Sequence, residues 1–134
     1  MIKKLYNLKK LQIDQRLAEK SQLLSRIHEI ENEVFETNNQ IVMTSVNKHG
    51  AISDFAILQL HKDTMKLHIS KLEREKKQLE SQVEALMEVI IELQKESEQF
   101  DYLLKEEKKR KFKEMIKAQD EEAAEYMQSK YIAS

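Results

Sequence analysis

The sequence has no proline, no cysteine and one glycine among its 134 residues. Proline interrupts helix interiors and glycine weakens them, so their near absence favours long uninterrupted helices. Without cysteine the chain can form neither a disulfide framework nor a thiolate zinc site, which is compatible with a reducing compartment. These absences exclude a disulfide-stapled fold and indicate an all-helical chain.

Long hydrophobic runs are also missing. No segment approaches the roughly 20 apolar residues of a membrane-spanning helix, and residues 1–10 lack the apolar stretch of a signal peptide. We therefore expect a cytoplasmic protein. The charges nearly cancel, with 23 basic and 24 acidic residues and a net charge of −1. The overall field gives no reason to expect nucleic acid as the main partner.

The residues that are present favour a coiled coil. Charged residues make up 35% of the chain and hydrophobic residues 40%, and the apolar residues are spread evenly along it. The clearest pattern steps alternately by four and three residues, the spacing of a seam that faces a second helix. Ten of these twelve positions are apolar: Met65, Ile69, Leu72, Lys76, Leu79, Val83, Leu86, Ile90, Leu93, Ser97, Phe100 and Leu104.

A weaker seam precedes it. The same stepping selects nine positions, of which six are apolar: Ile13, Leu17, Lys20, Leu24, Ile27, Glu31, Val34, Asn38 and Ile41. The polar positions have apolar neighbours in Leu23, Ile30 and Phe35, so the predicted stripe is wide. We expect Asn38 to help fix the register of the two helices.

One turn signal separates the two seams. Gly50 can adopt a positive φ, Ser53 can cap the next helix through its hydroxyl, and Ile52 can pack against Ile57 as a hydrophobic staple. The sequence therefore predicts one domain over residues 1–134, with helix one at about 2–46, the turn at about 47–53 and helix two at about 54–131.

The predicted fold is all-α: two long helices in an antiparallel coiled-coil hairpin with an overhanging C-terminal helix, because helix two is the longer. The overhang opens with residues 105–111, where five basic residues meet two acidic ones. A solvated helix surface and a phosphate-binding surface are the alternatives, and we favour a protein-binding surface. Its candidate residues are Lys109, Arg110, Phe112, Met115 and Ile116.

No pattern indicates catalysis. The histidines His61 and His68 are seven residues apart, whereas a metal pair on a helix usually has a spacing of four. The carboxylates lie at helical spacing from lysines or arginines, and no phosphate-binding loop or nucleophile motif occurs. We expect no enzyme activity, no catalytic residues, no cofactor and no metal.

The organisation of the chain resembles the FliJ/YscO family of flagellar and type III secretion export proteins. The similarity covers a Lys- and Leu-rich first helix, the turn with Gly50 at residues 49–53, and a long second helix. It also covers a tail that runs from a mainly basic segment at residues 110–114 to a mainly acidic segment at residues 120–124. It implies a stalk similar to the γ subunit of rotary ATPases. The implied partners are an export ATPase ring, the cytoplasmic domain of the export gate and export chaperones, with a location peripheral to the inner membrane through protein partners only.

The resemblance also implies a gate-facing strip on helix two shortly after the turn, which here maps to His61, Met65, His68 and Leu72. Met65 and Leu72 also belong to the predicted seam, so the histidines are the better candidates for contact. The apolar stretch at residues 83–93 is the next candidate. A generic coiled-coil scaffold or chaperone-like protein and a nucleic-acid-bound coiled-coil dimer are the competing functions.

Overall fold

A computed structural model of the protein describes residues 1–46 and 52–133. Helix α1 runs Ile2–Val46 and helix α2 runs Ile52–Ala133, and the described residues contain no strand. The predicted turn residues 47–51, including Gly50, lie outside the described residues. The side chains of Ile52 and Ser53, for which the sequence predicts a staple and a cap, lie outside them as well.

The two helices pack against each other as an antiparallel hairpin, so the predicted fold class is confirmed. The chain divides into two compact units. In the unit Asp14–Ile91, Glu33 of α1 contacts His68 of α2, while Arg26 contacts Glu75. Residue numbers fall along α1 as they rise along the facing α2, which is the pattern of antiparallel helices.

The second unit combines Met1–Ile13 with Glu92–Ser134. Within it Lys9 forms an ion pair with Glu96, and Ile2 lies beside a shallow groove that Leu103 and Arg110 help to line. The prediction that residues 1–134 form a single domain stays a prediction.

The seam predicted for α2 is confirmed. All twelve predicted positions are buried or half-buried, and the most buried apolar ones are Met65, Leu72, Val83, Leu86 and Ile90. Ten of these twelve positions are apolar, and this is the stripe of α2 that faces α1.

The seam predicted for α1 is right at alternate positions and wrong between them. Ile13, Lys20, Ile27, Val34 and Ile41 turn inward, and the other four predicted positions are exposed. The inward positions in their place precede them by one residue: Leu23 instead of Leu24, Ile30 instead of Glu31, and Thr37 instead of Asn38.

The shift follows from the side chains available at each turn of α1. Ile30 is completely buried and Thr37 nearly so, whereas the predicted Asn38 is exposed and therefore does not fix the register. The Thr37 hydroxyl donates a hydrogen bond of 2.7 Å to the backbone carbonyl of Glu33. That bond satisfies the hydroxyl without a partner on α2.

The C-terminal part of α2 has no cover. Every residue from 108 to 132 is exposed, and we call this segment the overhang. It includes Phe112, Met115 and Ile116, apolar side chains whose spacing is typical of a helix face that packs against a neighbour. The overhang predicted from the sequence is therefore present.

The corrected seam of α1 predicts different costs for two similar substitutions. Ile30 is 0% exposed and Leu24 is 46% exposed. We expect Ile30→Ala to lower the free energy of unfolding by about 2–5 kcal/mol, because it leaves a cavity at the helix interface. Leu24→Ala should cost less than about 1 kcal/mol, since much of this side chain is already in water. Denaturant titrations followed by circular dichroism would measure both, and equal losses would contradict the corrected register.

Candidate protein-interaction surfaces

The strip proposed for gate contact is divided between the seam and the surface. Met65 is 6% exposed and Leu72 is 5% exposed, so both side chains are held against α1. His61 and His68 lie on the same helix and are exposed. The structure therefore brings the four residues onto one stretch of α2 but leaves only the two histidines accessible to a partner.

His68 has a contact of its own within the hairpin. Its Nε2 lies 2.9 Å from Glu33 Oε1, a hydrogen bond between the two helices. A partner that uses His68 would have to share it with Glu33. Among the described residues, His61 forms no hydrogen bond or ion pair. It lines a shallow groove with residues of α1, among them Gln40 and Met43, so it is the more accessible of the pair.

Further ion pairs flank the buried stripe in the unit Asp14–Ile91. The Arg26 guanidinium donates two hydrogen bonds to Glu75, 3.0 Å from Nε to Oε1 and 3.2 Å from Nη2 to Oε2. These bonds, and a further one to Glu29, raise the pKa of Arg26 above its ordinary value. Lys76 lies 3.4 Å from Glu31 across the same interface. The charges beside the seam are thus engaged between the helices.

The overhang presents the other predicted surface. Phe112, Met115 and Ile116 lie on one side of α2 within about one turn, and all three are exposed. The predicted basic residues stand beside them and pair within the helix: Lys109 Nζ lies 3.7 Å from Glu106, and Arg110 Nε lies 3.9 Å from Glu114. Exposed pairs of this kind stabilise a helix by little, so the cations remain available to a partner.

The apolar surface of the overhang extends beyond the residues predicted for binding. Tyr126 and Met127 are exposed farther along the helix. Tyr126 follows the same amphipathic spacing as Phe112 and Ile116, so the sequence pattern predicts this part of the surface as well.

A second apolar surface was missed because it was assigned to the seam. Leu17 and Leu24 are exposed and line an open groove along α1 together with Lys20, Ser21 and His28. Ile30 is a better inward residue than the charged Glu31. A seam that passes through Ile30 steps from Ile13 first by three residues, and it leaves Leu17 and Leu24 on the outer side of α1. The stretch at residues 83–93 is divided in a similar way, with Met87, Val89 and Ile91 exposed between its buried seam residues.

Within residues 1–46 and 52–133, no group of three or more His, Cys, Asp or Glu side chains is arranged to hold a metal ion. No helical segment in the described part of the chain combines the length and hydropathy needed to cross a membrane. Comparison with protein-family models, with curated proteins and with solved structures gave no significant match to this chain.

The division of the gate-facing strip predicts opposite effects for its two kinds of residue. Met65→Ala and Leu72→Ala should each lower the free energy of unfolding by about 2–5 kcal/mol, because both side chains are buried at the helix interface. His61→Ala should change it by no more than about 0.5 kcal/mol, since this side chain is exposed. Thermal melts of the three variants would measure the difference, and a strongly destabilised His61→Ala variant would disprove the assignment of His61 to the surface.

Proposed function

We propose that this protein is a non-enzymatic coiled-coil component of the flagellar or type III protein export apparatus. In this proposal it links the cytoplasmic export ATPase to the membrane export gate and handles export chaperones. The observation that carries the proposal is the overhang, in which residues 108–132 of α2 continue as a helix with an exposed apolar side and no covering helix.

An exposed amphipathic helix of this length favours a binding role. An isolated helix gains little stability from its own hydrogen bonds, and most helical stability in proteins comes from an apolar face packed on a neighbour. Phe112, Ile116 and Tyr126 would lose their contact with water against an apolar groove of a partner. The basic residues 108–111 beside them suit a groove with an acidic rim.

The buried stripe supports a structural role for the rest of the chain. Its most buried residues are apolar, and the buried polar residues found among the described residues are Thr37 and Ser97. Acid–base catalysis requires titratable groups held in a pocket that shifts their pKa values. The grooves lined by Leu24 and by His61 are open surface features instead, so binding is the activity that this surface suits.

The export apparatus enters through the resemblance to the FliJ/YscO family. The hairpin with its longer second helix agrees with the stalk that the resemblance implies. The overhang is the part proposed to contact the ATPase ring, and His61 with His68 is the part proposed to contact the gate. The proposed location is the cytoplasmic side of the inner membrane, reached through these protein partners.

A generic scaffold or chaperone-like role is the second candidate. The exposed Leu17 and Leu24 favour it, because they form an apolar surface on α1 that the export proposal does not use. Binding of unfolded export substrates with no dependence on the overhang would favour this candidate over the first.

The proposal predicts that the apolar side of the overhang binds the export ATPase. Phe112→Ala combined with Ile116→Ala should weaken binding at least about tenfold, because two central apolar side chains are truncated. The hairpin should keep its melting temperature, since both residues are exposed. Isothermal titration of the purified ATPase with the wild-type chain and with the variant would measure the loss.

Glu114→Ala combined with Glu121→Ala is the matched control on the opposite side of the same segment, and it should bind within about threefold of wild type. No measurable affinity of the wild-type chain for the ATPase would remove the proposed link to the export apparatus. Equal losses in both variants would remove the apolar side of the overhang as the contact surface.

A further inference from the structure

The overhang has the spacing of a helix-pairing seam. Steps of four, three, four and three residues select Phe112, Ile116, Gln119, Ala123 and Tyr126, and all five are exposed. We call this set the overhang stripe. Alternating steps of this kind keep one side of a helix directed at a partner helix. Met115 and Met127 widen the stripe on its flanks.

The overhang stripe does not continue the seam that faces α1. At about 100° per residue, its residues lie about a third of a turn around the helix from the last seam residues, Phe100 and Leu104. The chain therefore changes its apolar side where the cover by α1 ends. A separate helix must approach from this new side if the stripe is to be buried.

The charges of the overhang are divided into two blocks of opposite sign. Residues 108–113 contain five basic and no acidic side chains, and residues 120–125 contain four acidic and no basic ones. The middle of the basic block pairs within the helix, as Lys111 does with Glu107. Lys113 and Asp120, in contrast, flank the same edge of the overhang stripe and form no ion pair within the described part of the chain.

These two observations fit a second copy of the same chain. We propose that the overhang pairs in antiparallel orientation with the overhang of a second molecule, so that the two overhang stripes cover each other. Lys113 of one copy then lies opposite Asp120 of the other, at one edge of the paired stripes. This pair occurs twice because of the two-fold symmetry. A parallel pairing would place like charges together along both blocks, which opposes association.

This inference goes beyond the proposed function and does not depend on it, because it concerns the purified chain alone. The two are linked by a shared surface, since Phe112 and Ile116 belong both to the overhang stripe and to the proposed ATPase contact. The self-paired form withholds this surface from other partners. Partner binding and self-association therefore compete for the same side of α2.

Oligomeric mass of the full chain gives the first test. Light scattering coupled to size-exclusion chromatography, at low salt and across micromolar to millimolar concentrations, should show a rise from 15.9 kDa to twice that mass. Higher salt should shift the rise to higher concentration, because screening weakens the exposed charge pairs. A single-chain mass at all concentrations would overturn the proposal.

Charge reversal decides whether the overhang is responsible. Lys113→Glu gives one variant, and Asp120→Lys gives the other. Each variant alone places like charges together twice in the symmetric pair and should dimerise at least about threefold more weakly than wild type. An equimolar mixture restores both opposite-charge pairs and should recover the double mass. Variants that dimerise as well as wild type, or a mixture that fails to recover, would overturn the proposal.

Orientation is tested with matched cysteine substitutions, which are the sole thiols because the chain has no cysteine. In the antiparallel pair, the two copies of residue 118 are about 5 Å apart along the helix axis and those of residue 124 about 22 Å apart. A short bismaleimide should therefore couple Ala118→Cys chains and leave Ala124→Cys chains uncoupled. Equal coupling at both positions would indicate a parallel pair and overturn the proposed arrangement. Circular dichroism of all four variants checks that each remains helical.

Discussion

The hairpin depends on a single apolar contact between α1 and α2. Two helices can bury only the stripe where they meet, and the buried apolar residues found here, such as Ile27 and Ile30 on α1 and Leu86 and Ile90 on α2, all belong to it. Away from this stripe, the described side chains are mostly exposed. The interhelical bonds of Arg26 with Glu75 stand at the edge of this stripe, where they favour one alignment of the helices without adding to the core.

This constraint explains how far the sequence could predict the fold. On α2 one stripe is apolar at ten of its twelve positions, so the seam positions from Met65 to Leu104 followed directly from spacing, even though Met87, Val89 and Ile91 add apolar surface outside it. On α1 two adjacent candidates compete at several turns, as Leu23 and Leu24 do. The predicted seam stepped from Ile13 first by four residues instead of three, and it therefore selected an exposed residue at each alternate position. The choice between the candidates depends on the facing residues of α2, which periodicity within α1 does not contain.

The candidate surfaces were predictable to a similar degree. The overhang followed from the unequal helix lengths and from the amphipathic spacing of Phe112 and Ile116, both visible in the sequence. The contact of His68 with Glu33 was not, because it joins residues 35 positions apart and requires the register of the two helices. The exposed Leu17 and Leu24 were missed for the same reason. Local pattern therefore identified which helix carries a surface, and pairing between helices decided which residues remain on it.

The overhang connects stability with function, because an exposed apolar stripe stays in water only until a suitable helix or groove covers it. Apolar contact alone is poorly selective, so the charges beside the stripe decide which partner fits. The basic and acidic blocks complement each other when two overhangs run in opposite directions, and the basic block alone complements an acidic groove. Self-pairing strengthens with chain concentration, whereas binding to another protein depends on the abundance of that protein. A partner that displaces the second copy must therefore supply more than the apolar contact, and an acidic rim facing residues 108–113 would supply it.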